Sequence, residues 1–201
     1  MTDTRDIFGN IDIYLFDQIQ KGRYEATKSV VDLGCGGGRN LVYFLRQGLE
    51  VYGLDPQPEA IAVVRELSKS LAPANPLSNF KLGAIEDQPF APQQFDLVIC
   101  NAVLHFAENE THFDRMMQAA WAAVAPNGFF FVRLASDIGI EGKVRPLGDG
   151  QFLLPDGSKR FLVTEDTLFR YGHAWGACQL EPIKTTNVQG LRCMTTWCLG
   201  K

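Results

Sequence analysis

From residue 29 onward, short apolar runs alternate with stretches whose apolar positions recur at helical spacing. Ser29-Val-Val-Asp-Leu33 reads as a buried strand that ends in Gly34-Cys-Gly-Gly-Gly38. Arg39 to Gln47 follows with Leu41, Val42, Phe44 and Leu45 on one helical face. Glu50 to Leu54 reads as a second strand, and Pro58 to Leu71 as a helix with Ile61, Val64, Leu67 and Leu71 along its stripe. A weaker strand covers Asn79 to Gly83. Phe95 to Cys100 is the clearest strand, and a helix from Asn109 to Ala125 leads to a fifth strand, Phe129 to Arg133. Thr164 begins another helix, because its hydroxyl can cap the first free N–H groups. Two β-rich segments, Cys178 to Thr185 and Leu191 to Leu199, close the chain.

Near-continuous apolar strands alternating with amphipathic helices predict an α/β fold, a mostly parallel sheet of seven strands with helices on both faces. In such sheets ligands bind beyond the carboxyl ends of the strands, which directs attention to the residues after each one. Residues 136–163 interrupt the alternation. They hold Gly148-Asp-Gly150 and Leu154-Pro-Asp-Gly157-Ser158, turn signals that predict a hairpin inserted after strand five, either a lid over the carboxyl edge or a decoration. At 201 residues the chain reads as one domain. Its parts are a cap helix within 1–26, a core over 27–135, the insertion, and a C-terminal helix with two strands over 164–201.

Composition narrows the function. Apolar residues make up 46% and charged residues 21%, ordinary for a folded soluble chain. A net charge of −4 supplies no global field for nucleic acid or anionic lipid, and no apolar run has membrane-spanning length. Neither nucleic-acid nor membrane partners are expected. The N-terminus lacks the pattern of a secretory signal. The five cysteines lack paired spacing, so reduced thiols, no metal site and a cytoplasmic location are expected, as a monomer or homodimer.

The glycine loop carries the chemistry. A nicotinamide fingerprint counted from Gly34 needs glycine or alanine at position 39, where Arg39 stands. Instead Asp32-Leu-Gly34-Cys35-Gly36-Gly-Gly38 places an acid two residues before G-x-G-x-G. A carboxylate there would repel a pyrophosphate and favour a cation such as an ammonium. Asp55, followed by Pro56, ends the second strand, where a carboxylate can accept from both ribose hydroxyls.

With these residues in order, residues 27 to 135 resemble the class I S-adenosylmethionine-dependent methyltransferases, whose first motif is D/E-x-G-x-G-x-G. The likeness is to the small-molecule branch, the tellurite-resistance and ubiquinone-biosynthesis type. It implies a Rossmann-like sheet, S-adenosyl-L-methionine as cofactor, S-adenosyl-L-homocysteine as product and a small-molecule acceptor. It further implies that Ile85 and Glu86, or the competing Asp87, meet the adenine. Asn101 and Leu104 would border the methionine moiety, and Asn40, opening the first helix with Arg39, would reach either its carboxylate or the lid.

Methyl transfer is an in-line displacement, so a protein mainly aligns the partners and excludes water. His105, shortly after strand four, is the candidate general base, with a positioning role as its alternative. Arg133, at the end of strand five, needs a partner acid such as Asp137 or an anionic acceptor. His112 reads as a solvated helix residue. Asp12 to Ile19 reads as an amphipathic helix packing through Ile11, Leu15 and Ile19, with Tyr14 facing either the methyl position or the core. Competing functions are a nicotinamide-dependent oxidoreductase and a non-enzymatic nucleoside-binding regulator.

Overall fold

The computed structural model describes residues 3–201; Met1 and Thr2 of the expected cap segment lie outside the described residues. Two short helices precede the core, α1 (Thr4–Phe8) and α2 (Ile13–Gln20). Asp12 caps α2, its Oδ1 accepting from Tyr14 N at 2.9 Å. Leu15 is fully buried, and Ile11 and Ile19 pack beside it, which is the expected stripe.

Strand β1 (Ser29–Leu33) leads through the glycine loop into α3 (Val42–Arg46), then β2 (Glu50–Asp55) and α4 (Pro58–Leu71). Helix α3 is shorter than the predicted Arg39–Gln47. Gly38 takes φ +82 and accepts Leu41 N in a tight turn, so the chain reaches helical geometry only at position 42. Next come β3 (Phe80–Leu82), β4 (Phe95–Asn101), α5 (Glu110–Ala123) and β5 (Val124–Ser136). The sheet runs β10-β11-β5-β4-β1-β2-β3, where β10 is Lys184–Val188 and β11 is Arg192–Gly200. On this seven-strand path only β11 runs against the others, pairing antiparallel with β5 on one side and β10 on the other. A two-residue strand, β9 (Cys178–Gln179), adds an eighth beside the end of β11.

Burial confirms cover on both faces. Neighbours in β1 separate: Val31 joins a cluster with Phe113, Met117 and Leu168 of α5 and α6 (Glu165–Ala174), while Val30 joins Phe44, Ile61 and Val64 of α3 and α4. The strand pleat sends successive side chains to opposite faces, which is why these strands read as continuous apolar runs. Each fully buried aliphatic or aromatic side chain contributes roughly 1.5–3 kcal/mol.

The insertion is a three-stranded antiparallel sheet, β6 (Arg145–Gly148), β7 (Gln151–Leu153) and β8 (Lys159–Phe161), rather than a two-stranded hairpin. Both turn signals are used. Gly148, Asp149 and Gly150 all take positive φ, and Gly157 takes φ +82 at the second turn. The meander anchors to the main body through stacking of Phe161 on Phe113, with centroids 4.5 Å apart. Gln151 Nε2 also donates to the Ala107 carbonyl. Among the described residues no helix is long and apolar enough to cross a membrane.

Candidate active site

The loop after β1 is stitched to the end of β2. Gly34 N and Cys35 N both donate to the Leu54 carbonyl, at 2.7 and 2.9 Å. Asp55 then ties two loops together: its Oδ2 accepts from Gly36 N at 2.9 Å and its Oδ1 from Gln57 N at 3.0 Å. Each carboxylate oxygen keeps a second acceptor site for a ligand. The glycines differ in purpose. A Cβ on Gly34 would lie 2.5 Å from Val103 Cγ2, and one on Gly38 would lie 2.6 Å from Val64 Cγ2, so both permit close packing. Gly36 has φ +50 and open space where a Cβ would stand.

Gly34, Asp55, Pro56, Ile85 and Glu86 line one cavity of about 450 Å³ beyond the carboxyl ends of β1 and β2. Val103, Phe106, Met116 and His112 add walls that the sequence reading did not assign. His112 is not a solvated helix residue: its Nε2 lies 3.0 Å from Glu86 Oε1, and its Nδ1 accepts from Glu108 N at 3.1 Å. Arg115 Nη2 stands 3.6 Å from the same carboxylate. Of the two competing acids, Glu86 faces the cavity while Asp87 is exposed to solvent. Cys35 and Leu104 sit in the two apolar clusters rather than on the cavity wall.

Asp32 is 1% exposed and its Oδ1 has no hydrogen-bond partner. Burial pushes its carboxyl up to about 8, only partly offset by the Asn40 amide and the Arg39 guanidinium. Both amide atoms of the buried Asn101 are also unpartnered. A native interior leaves few such atoms orphaned, because each costs about 1–3 kcal/mol. An orphaned acid oxygen suits a cationic ligand, and an orphaned amide suits a polar one. Asn40 is buried too, its Oδ1 accepting from Asp12 N at 3.0 Å.

A second cavity, about 370 Å³, lies between the carboxyl ends of β4 and β5 and the meander. His105, Arg133, Asp156, Arg160 and Arg192 are on its wall. Ala102 is on the walls of both cavities, immediately after β4, with φ +60. Positive φ is uncommon outside glycine. Here it is held by Ala102 N donating to the Arg133 carbonyl at 2.7 Å.

His105 is buried, and its Nδ1 accepts from Ala135 N at 3.3 Å. Burial first, then the Arg160 and Arg133 charges, lower its pKa to about 4. The ring is neutral at pH 7 and carries its hydrogen on Nε2. Arg133 does not use Asp137. Its Nη1 stands 3.4 Å from Asp12 Oδ2, and its guanidinium lies 5.3 Å from the Tyr14 ring centre. Tyr14 itself hydrogen-bonds Thr186 Oγ1 at 2.5 Å. Among the described residues no group of three His, Cys, Asp or Glu side chains converges to hold a metal ion.

Comparison with known proteins agrees with this architecture. A ubiquinone biosynthesis O-methyltransferase of Methylobacterium sp. (strain 4-46) is 35% identical over 106 residues, covering 53% of this chain but only 40% of that relative. A solved protein of Pyrococcus horikoshii superposes with a TM-score of 0.72 at 16% identity, over 94% of this chain and 88% of that one. The Burkholderia thailandensis 1,6-didemethyltoxoflavin-N1-methyltransferase, solved with 1,6-didemethyltoxoflavin and S-adenosylhomocysteine, gives 0.67 at 17% identity, over 96% and 79%. The family model described as a methyltransferase domain matches residues 31–132, the stretch that holds the glycine loop, Asp55, Glu86 and His105. This chain belongs to the methyltransferase domain family, built on its class I Rossmann-like fold.

Proposed function

We propose that this chain transfers the methyl group of S-adenosylmethionine to a small molecule seated in the second cavity. One observation carries the reading: two cavities of different chemistry meet at a single residue, Ala102, on the carboxyl edge of the sheet. The nucleoside side is acidic, with Asp55 and Glu86 on its wall and the orphaned Asp32 at the end of β1. The other side is walled in part by the meander and carries cations.

When bound, the cofactor supplies an activated methyl on a sulfonium, so the protein need not generate an electrophile. Asp32 compensates the ligand's positive charge, and the second acceptor sites of Asp55 take ribose hydroxyls. Ile85, Val103 and Met116 give apolar walls for a base, with Glu86 positioned by His112 and Arg115 to receive an amino group. Gly36, with open space where a Cβ would stand, lets a ligand approach the backbone closely. His105 acts as a neutral Nε2–H hydrogen-bond donor that orients the acceptor, in place of the general base expected from its position. Its Nδ1 lone pair is engaged by Ala135 N, which supports that assignment. Likeness to small-molecule methyltransferases supports a small acceptor.

Calorimetric titration with S-adenosylhomocysteine and with NADH tests the binding half, and transfer of labelled methyl from S-adenosylmethionine into a small-molecule extract tests the chemistry. Binding of NADH with no response to S-adenosylhomocysteine overturns the proposal. Tight nucleoside binding with no labelled product would favour a regulator instead.

A further inference from the structure

The second cavity has a charge pattern that says what it holds. Arg133 arrives from β5, Arg160 from β8 and Arg192 from β11, so three elements far apart in sequence each bring a guanidinium to one small space. Asp156 is the one carboxylate on that wall. It is already engaged, its Oδ1 accepting from Ser158 N at 2.9 Å and Ser158 Oγ at 2.6 Å, while Arg192 Nη1 lies 3.9 Å from its Oδ2. Arg133 has the distant Asp12 contact at 3.4 Å, and its Nε is buried without a partner. Arg160 makes no ion pair among the described residues; it lies over the Phe106 ring at 5.0 Å and donates to the Lys159 carbonyl at 2.6 Å. In a chain of net charge −4, gathering three guanidiniums around one carboxylate runs against the overall balance. Arg133 is 17% exposed at the inner end and Arg192 58% exposed at the outer end. Like charges gathered on one wall repel, most where solvent is least, and the arrangement is relieved by an anion between them.

We infer that the acceptor is a small molecule carrying an oxyanion, a carboxylate or a phosphate monoester, gripped by Arg160 and Arg192 with Arg133 at its inner end. This rests on the methyl-transfer reading and names the substrate class of the same site. Guanidinium presents paired N–H groups that match carboxylate and phosphate oxygens two at a time, which a lone ammonium does not. A volume of about 370 Å³ admits a molecule the size of an aromatic or amino acid, displacing roughly a dozen waters. The remaining walls, Leu154, Val188 and Met194, are apolar and suit its carbon skeleton. An anionic acceptor also faces a cavity prepared for a cationic sulfonium, so each bound partner favours the other.

The test uses the full chain saturated with S-adenosylhomocysteine. Benzoate and phenyl phosphate are titrated by calorimetry, each against its neutral counterpart, benzamide and phenol. The expected result is that at least one anion binds about tenfold or more tightly than its counterpart, and that Arg160→Gln and Arg192→Gln each remove that preference. Their affinity for S-adenosylhomocysteine should stay unchanged. Preference for benzoate assigns a carboxylate, and preference for phenyl phosphate a phosphate ester. Equal binding of anions and neutral probes, or a preference untouched by both substitutions, overturns the inference. If S-adenosylhomocysteine itself fails to bind, the methyl-transfer reading has failed, and the two failures are told apart in one titration.

Discussion

Arg133 and Asp12 join the end of β5 to the cap of α2 through an ion pair of 3.4 Å between Nη1 and Oδ2. Asp12 also accepts Tyr14 N through Oδ1, gives its own N–H to Asn40, and lies 3.7 Å from Arg39. Helix α2, the glycine-loop exit and Arg133 are therefore fastened by one residue.

Asp12→Ala should lose both the cap and the charge. The cap alone is worth about 1 kcal/mol, and the unpaired guanidinium adds to the loss. Asp12→Asn keeps the oxygen that caps the helix and discards only the charge, so it should be the milder change. Urea unfolding measures both; wild-type stability in Asp12→Ala would remove Asp12 from this role.

Asp32 makes stability and ligand affinity move oppositely with pH. Its folded pKa, about 8, lies above the ordinary aspartate value of about 3.9, so the native chain holds a proton that the unfolded chain gives up. This contribution is complete below the unfolded value and is lost as pH rises toward 8. The ligand's ammonium group needs the carboxylate, so affinity for S-adenosylhomocysteine should rise with pH, approaching about tenfold per unit below 8. Asp32→Asn should flatten the affinity profile. A native affinity independent of pH between 6 and 8 would contradict the assignment.

His105 carries the opposite sign. Its folded pKa of about 4 is below the ordinary histidine value of about 6.5, so the unfolded chain binds the extra proton. Its contribution is present above that ordinary value and lost as pH falls through it toward 4. Long-range proton–nitrogen correlation spectra should show Nε2 protonated and Nδ1 bare at pH 7. A titration midpoint near 6.5 would restore the general-base reading.

Gly38 and Gly36 should fail differently when replaced by alanine. At Gly38 the new Cβ meets Val64 Cγ2 at 2.6 Å with φ +82, so the melting temperature should fall sharply. At Gly36 only the left-handed backbone is penalised, by roughly 1–2 kcal/mol, and the methyl enters open space. Gly36→Ala should then lose nucleoside affinity beyond what its stability loss explains. Calorimetry beside thermal unfolding separates them; equal behaviour would deny the loop its ligand role.

Local signals made most elements legible. Pro58 at the first helical position and the stripe through Ile61 and Val64 placed α4 at Pro58–Leu71, and Thr164 caps α6 by accepting from Thr167 N. Helix α3 was overextended because Leu41 fits the helical period while belonging to the preceding turn. At the site, Asp55 was legible because it ends a strand, whereas Glu86 came only from the family resemblance, which left Asp87 as its competitor. Arg160 and Arg192 were not legible, since their meeting depends on how β8 and β11 approach each other in space. Proximity in sequence points Arg133 to Asp137, yet the side chain that answers it is Asp12, in the segment before the core. His112 followed helical spacing that suited solvent, and only the fold brings Glu86 beside it.

The meander of β6 to β8 contributes Leu154, Ser158 and Arg160 to one side of Ala102, while the walls of the Asp55 cavity come from elsewhere. On the proposed methyl-transfer reading, the stretches of chain that meet the acceptor are thereby separate from those that meet the nucleoside, apart from Ala102. Under that proposal, exchanging the short insert for another of similar span would alter the acceptor side while leaving the Asp55 cavity as it stands.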